Sequence, residues 1–122
     1  MVPRQITEDL SYMLLRELTQ EPTVSQRSLA TRFGMSAGKV NYCLRALVER
    51  GWVKVRNFRR HDNKWAYSYL LTPSGMSAKV LLTRSFLARK EQEFEALQHE
   101  IARLRSEFET AQAMSSEETE KQ

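Results

Sequence analysis

The sequence predicts a mainly α fold with a small β-hairpin, of the α+β class, ending in a long C-terminal helix. Three observations predict it. Two short apolar-periodic runs, each opened by serine and closed by glycine, follow one another in SQRSLATRFGMSAGKVNYCLRALVERG, residues 25–51. Two alternating segments, WVKVRNF and KWAYSYLLT, flank the polar RRHDN. Beyond Pro73 there is no further proline, and Gly75 is the last glycine.

The first helix is expected over 6–20. Thr7 can cap it, Glu8 and Asp9 suit the positive end of its dipole, and Leu10, Met13, Leu14 and Leu18 recur at helical spacing. Pro22 stops it. The second helix is expected over 26–33, with Ser25 as N-cap, Val24 and Leu29 at staple spacing, and Leu29, Ala30 and Phe33 facing inward. Gly34 closes it in a conformation that favours glycine. Ser36 caps a third helix, Ala37 to Arg50, which Gly51 ends. Only Met35 and Ser36 separate Gly34 from that helix, so the two helices must cross steeply, as in a helix-turn-helix.

On a helical wheel at ~100° per residue, Ala37, Val40, Cys43, Leu44, Leu47 and Val48 form one arc, expected to pack inward. Gly38, Lys39, Tyr42, Arg45 and Glu49 fall opposite, with Asn41 at the border. A small residue for close approach, an aromatic, two cations and an amide suit the major groove of DNA, where Arg and Lys read guanine and Asn reads adenine. The two strands with RRHDN between them read as a hairpin with a basic tip and a turn at Asp62-Asn63. Together these elements predict a winged helix-turn-helix.

Charge distribution points the same way. Net charge over the chain is +4. Residues 25–65 hold ten Lys and Arg against Glu49 and Asp62, whereas residues 91–122 hold nine Glu against three cations. A basic block between acidic flanks predicts a polyanion partner. Expected DNA contacts are Ser25, Arg27 and Arg32 on the second helix; Ser36, Ala37, Gly38, Lys39, Asn41, Tyr42 and Arg45 on the third; and Arg56, Arg59, Arg60, His61, Asn63 and Lys64 on the wing. Ser36 and Ala37, at a helix N-terminus, would lie near phosphate. Trp52, Trp65, Tyr67 and Tyr69 read as core and wing-root packing, and Cys43 as a small buried thiol.

Pro73 suits the first turn of a helix capped by Thr72. That helix is expected to run to about Gln112. Phe94, Leu97, Ile101, Leu104, Phe108 and Ala111 are spaced 3-4-3-4-3, a heptad seam. Val80, Leu87, Phe94, Leu97, Ile101, Leu104 and Phe108 are therefore expected at a homodimer interface. The expected organisation is a DNA-binding domain over 1–72, a dimerisation helix over 73–112 and a disordered tail over 113–122.

Other function classes find little support. No nucleophile-base-orienter set or phosphate-cradling glycine loop is visible, so the chain is not expected to be an enzyme or to need a cofactor. His61 and His99 lack further ligands at metal spacing. The longest apolar run is too short for a bilayer, the N-terminus lacks a signal-peptide core, and a single cysteine fits a reducing cytoplasm. The alternative is a winged-helix module that binds protein rather than specific DNA; an RNA-binding regulator is a third reading.

The run SQRSLATRFGMSAGKVNYCLRALVERGWVKV, followed by a basic wing and LLTPSG, resembles the MarR-type winged-helix transcriptional regulators over roughly residues 7–90. GKVNYCLRALVERGWVK is most similar to a small MarR-like group associated with exopolysaccharide gene clusters. The resemblance implies a bacterial, cytoplasmic, homodimeric regulator with its recognition helix over 37–50. Asp62 and Lys64 resemble that family's acid-x-base pair at the wing tip, with about one residue more before Leu71-Thr72. The short N-terminal part and the coiled-coil-like C-terminal helix also resemble PadR-like regulators. A small-molecule effector is compatible with the resemblance, although no residue here indicates one.

Overall fold

In a computed structural model, which describes residues 4–121, four helices and one antiparallel hairpin follow in the order α1 (Glu8–Gln20), α2 (Gln26–Phe33), α3 (Ala37–Glu49), β1 (Val53–Arg59), β2 (Trp65–Leu71) and α4 (Pro73–Glu120). The mainly α class with a small hairpin is thus the observed one. Residues 1–3 and 122 of the expected terminal segments lie outside the described residues.

Local chemistry sets each helix start. The hydroxyls of Thr7, Ser25 and Ser36 accept from the backbone N–H of Leu10, Ser28 and Lys39 respectively, so each satisfies a donor left over by its helix. Gly34 ends α2 at φ +63°, and the Met35 N–H then donates to the Ala30 carbonyl at 2.9 Å. That left-handed step turns the chain through two residues into α3.

The core lies where the three short helices meet the base of the hairpin. Leu14, Leu15 and Leu18 from α1, Leu29 from α2, and Val40, Cys43, Leu44 and Leu47 from α3 are essentially solvent-free, joined by Val24, Val53 and Tyr69. Burial of each large aliphatic side chain contributes about 1.5–3 kcal/mol. Two members of the expected inward arc of α3 lie outside it. Ala37 is exposed in the first turn and Val48 is 37% exposed, while Ala46 is buried. The arc is shifted because α3 is covered on its flank as well as its back: Ile6 and Leu10 pack onto the core beside it.

The strands pair in the register Val53↔Leu71, Val55↔Tyr69, Asn57↔Tyr67 and Arg59↔Trp65. The Tyr69 N–H donates outward to the Pro22 carbonyl at 2.9 Å, tying β2 to the α1–α2 loop. Trp65 and Tyr67, expected in the core or wing root, are exposed instead, because the hairpin outruns the helices that cover its base. Tyr69 and half-buried Trp52 do pack at the root.

The chain forms two compact units, dividing between Phe86 and Leu87 rather than at the expected 72/73. The first turns of α4 belong to the first unit. Thr72 accepts from the Gly75 N–H, Lys79 donates to Thr19, and Phe86 stacks on Tyr12 with ring centroids 4.7 Å apart. In the second unit Phe94, Leu97, Ile101, Leu104 and Phe108 are all exposed, Ile101 least at 44%. The helix continues to Glu120, where disorder was expected from residue 113. Extending an existing helix adds one hydrogen bond per residue fixed, and Ala113, Met114, Glu117, Glu118 and Glu120 are good helix formers.

Gly75 is buried, and a Cβ there would come within 1.9 Å of the Trp52 carbonyl oxygen. Alanine has the better helix propensity by about 0.8–1 kcal/mol. Gly75→Ala should nevertheless lower the melting temperature by several degrees, because relieving the clash requires backbone movement. Thermal unfolding by circular dichroism reads the sign directly.

Candidate nucleic-acid interface

α3 presents one strip to solvent. Gly38, Arg45 and Glu49 are exposed along it, with Asn41 half-buried on one side and Tyr42 on the other. The hairpin flanks the Asn41 side. A groove of about 400 Å³ is lined by Asn41, Arg45 and Val48 of α3 and by Val55, Tyr67 and Tyr69 of the wing. Residues 4–6 flank the Tyr42 side. The Gln5 N–H donates to the Tyr42 hydroxyl at 3.0 Å, and the Arg4 guanidinium lies 5.7 Å from the Tyr42 ring centroid while pairing with Glu49. The one acid of the strip therefore has a cation beside it. Tyr42, expected to be free for a base or sugar, is 38% exposed and already holds the N-terminal segment.

Gln26 joins the three elements of the interface, a role not expected from the sequence. Its Nε2 donates to the side-chain Oδ1 of Asn41 at 3.3 Å and to the Tyr69 hydroxyl at 3.1 Å. One amide in the first turn of α2 thereby sets the border residue of α3 and the root of the wing. Its partners lie 15 and 43 residues away, so no local pattern could have revealed it.

The expected cations divide into those that share a face and those that do not. Side chains alternate across a strand, so the register puts Arg59 with Tyr67, Tyr69 and Val55 on the face turned to α3. Arg56, opposite Ser68, belongs to the other face. At the tip, the Arg60 guanidinium stands 3.7 Å from Asp62. Asn63 takes φ +64°, and Asp62 accepts from the Lys64 N–H, which closes the expected turn. His61 and Lys64 are exposed there. Arg27 is exposed on α2. Arg32 is turned toward α1, where it pairs with Glu21 at 2.8 Å and Glu17 at 2.9 Å; those two hydrogen bonds raise its pKa above the usual guanidinium value. Burial pushes the Cys43 thiol up, against a weaker opposing pull from Lys39. The same burial keeps the thiol out of solvent.

Residues 8–54, fewer than half of the chain, match the family profile described as winged helix-turn-helix DNA-binding. A transcriptional regulator homologue from Pyrococcus horikoshii OT3 has a similar structure, with a TM-score of 0.54 at 14% identity, over 69% of this chain and 82% of that one. Staphylococcus aureus MarR, solved with salicylate and kanamycin, is similar at a TM-score of 0.51 and 16% identity, over 67% of this chain and 53% of that one. No curated protein matches the sequence. The likeness to these structures is one of fold: three helices, a hairpin wing and a long following helix make this a winged helix-turn-helix chain.

Gln26→Ala should leave Asn41 and the Tyr69 hydroxyl without their shared donor. A loss of about 0.5–1.5 kcal/mol is expected for a net hydrogen bond, with faster amide exchange at the base of the wing. Urea unfolding and hydrogen exchange measure both.

Proposed function

We propose that the chain is a MarR-type transcriptional regulator that binds a pseudo-palindromic DNA operator as a homodimer. The observation that carries this reading is the exposed strip of α3, flanked by a basic wing, within the region that matches a winged helix-turn-helix DNA-binding profile. α3 enters the major groove. Arg45 and Asn41 read base edges, with Lys39 and Tyr42 at the margin of the strip. Ser36, Ala37 and Gly38 face phosphate at the helix start, and Ser25 and Arg27 do the same for α2. Arg59, Arg60, His61, Asn63 and Lys64 hold the flanking backbone. Arg56, on the other hairpin face, adds long-range attraction.

Residues 1–72 supply the DNA-binding part, and α4 supplies the pairing. The exposed seam from Phe94 to Phe108 has the 3-4 spacing of a coiled coil, and two copies would cover each other's stripe. Two recognition helices would then meet half-sites ~34 Å apart. A reducing cytoplasm is the compartment such a regulator occupies.

Selection of bound duplexes from a randomised pool at about 150 mM salt should enrich a palindrome with half-sites ~10 bp apart. Pool recovery without enrichment would reduce the protein to a non-specific DNA coat. With about 6–10 phosphates contacted, affinity should fall ~10³–10⁵-fold between 50 and 200 mM salt. Arg45→Ala should cost about 1–3 kcal/mol and relax one position per half-site; equal weakening on every sequence would make Arg45 a phosphate contact. Ile101→Glu with Leu104→Glu should yield monomers by sedimentation, and a persisting dimer would move the interface elsewhere.

A further inference from the structure

The wing carries two large aromatic side chains that the core does not use. Trp65 is 63% exposed and Tyr67 54%. They stand two residues apart on β2 and share the face that carries Arg59 and Asn57. The Arg59 guanidinium lies 4.8 Å from the Trp65 ring centroid, so the indole already holds a planar cation on one side. A groove of about 770 Å³ runs from this face to the start of α2. Trp65, Tyr67 and His61 line its wing side, and Ser25, Gln26 and Ser28 line its α2 side.

Its electrostatics favour an anion. Arg59 and Arg60 both line the groove. The acid across it, Glu21, is held by Arg32 at 2.8 Å, and Asp62 at the tip stands 3.7 Å from Arg60. The groove therefore joins open ring faces, cations, and hydroxyl and amide groups. Residues two apart on a strand are separated by about 6.5 Å. That spacing puts both exposed rings within reach of one base or of two neighbouring bases. Within a duplex, base faces are covered by their neighbours; an unpaired base presents them.

We propose that this groove binds unpaired nucleotides of a DNA strand, stacking a base against Trp65 and Tyr67 and placing the adjoining phosphates on Arg59 and Arg60. The groove shares Ser25, Arg59, Arg60 and His61 with the flanking contacts proposed above and lies beside the duplex-reading strip of α3, but stacking in it does not need α3 in a major groove. Stacking of this kind is tolerant of sequence, since every base has a π-face.

The test uses the full chain and a labelled thymidine octamer, read by fluorescence anisotropy. Trp65→Ala should weaken binding about 5- to 100-fold, whereas Trp65→Phe should retain most of it. An octamer with abasic sites in place of bases should bind the unaltered protein as poorly as the thymidine octamer binds Trp65→Ala. In a Trp52→Phe background, where Trp65 is the remaining tryptophan, the thymidine octamer should quench the emission. Equal affinity for the abasic strand, or an undiminished Trp65→Ala variant, would reduce the groove to a phosphate contact and overturn the proposal. So would the absence of single-strand binding in a protein that still selects a duplex. Single-strand binding without duplex selection would instead overturn the operator reading and leave this one standing.

Discussion

The short turn between α2 and α3 constrains the rest of the first unit. Gly34 in the left-handed region reverses the chain, and the Ser36 hydroxyl starts the next helix two residues later. No slack remains to rotate α3, so the stripe from Val40 to Leu47 must meet Leu14, Leu15 and Leu18 of α1. Once that stripe is buried, the opposite strip is fixed as the exposed one. A side chain at position 34 would force φ > 0 on a residue with a Cβ, a strain of about 1–3 kcal/mol. It would loosen the angle on which the position of Arg45 depends.

The wing is positioned by a different kind of bond. Its base is held by burial of Val53 and Tyr69, by the Tyr69 N–H on the Pro22 carbonyl, and by Gln26 on the Tyr69 hydroxyl. Beyond Tyr69 the hairpin depends on its own ladder and turn. Two strands alone are marginal in water. The cross-strand pair of Arg59 with Trp65 and the turn at Asp62–Asn63 are therefore what keep the tip ordered. The root thus keeps the groove beside α3 in place, while the tip is only lightly held.

Features set by nearest neighbours in the chain were legible in the sequence. Caps at Thr7, Ser25 and Ser36, the stop at Gly34, both strands and the Asp62–Asn63 turn all depend on a few adjacent residues. Features set at a distance were not. Arg32 looks like a free cation until Glu17 and Glu21 are brought beside it. Arg56 and Arg59 look equivalent until the register puts them on opposite faces. Alternation put Trp65, Tyr67 and Tyr69 on one side of β2, correctly, but it carries no information on how far the strand extends past the helices. Burial of Tyr69 and exposure of Trp65 come from that length alone.

Charge segregation along the chain adds a final constraint. Nine glutamates against three cations over 91–122 make that stretch repel a polyanion, while the basic surplus is confined to 25–65. Like charges on a helix also oppose its pairing with a copy of itself, by roughly the few tenths of a kcal/mol per pair seen on isolated helices. An apolar side chain the size of Phe94 or Ile101, once covered, contributes about 1.5–3 kcal/mol. Five such positions, each partly exposed in the single chain, would oppose that repulsion. The acidic surface therefore disfavours a polyanion along that stretch, and any pairing of two copies there would rest on the apolar seam.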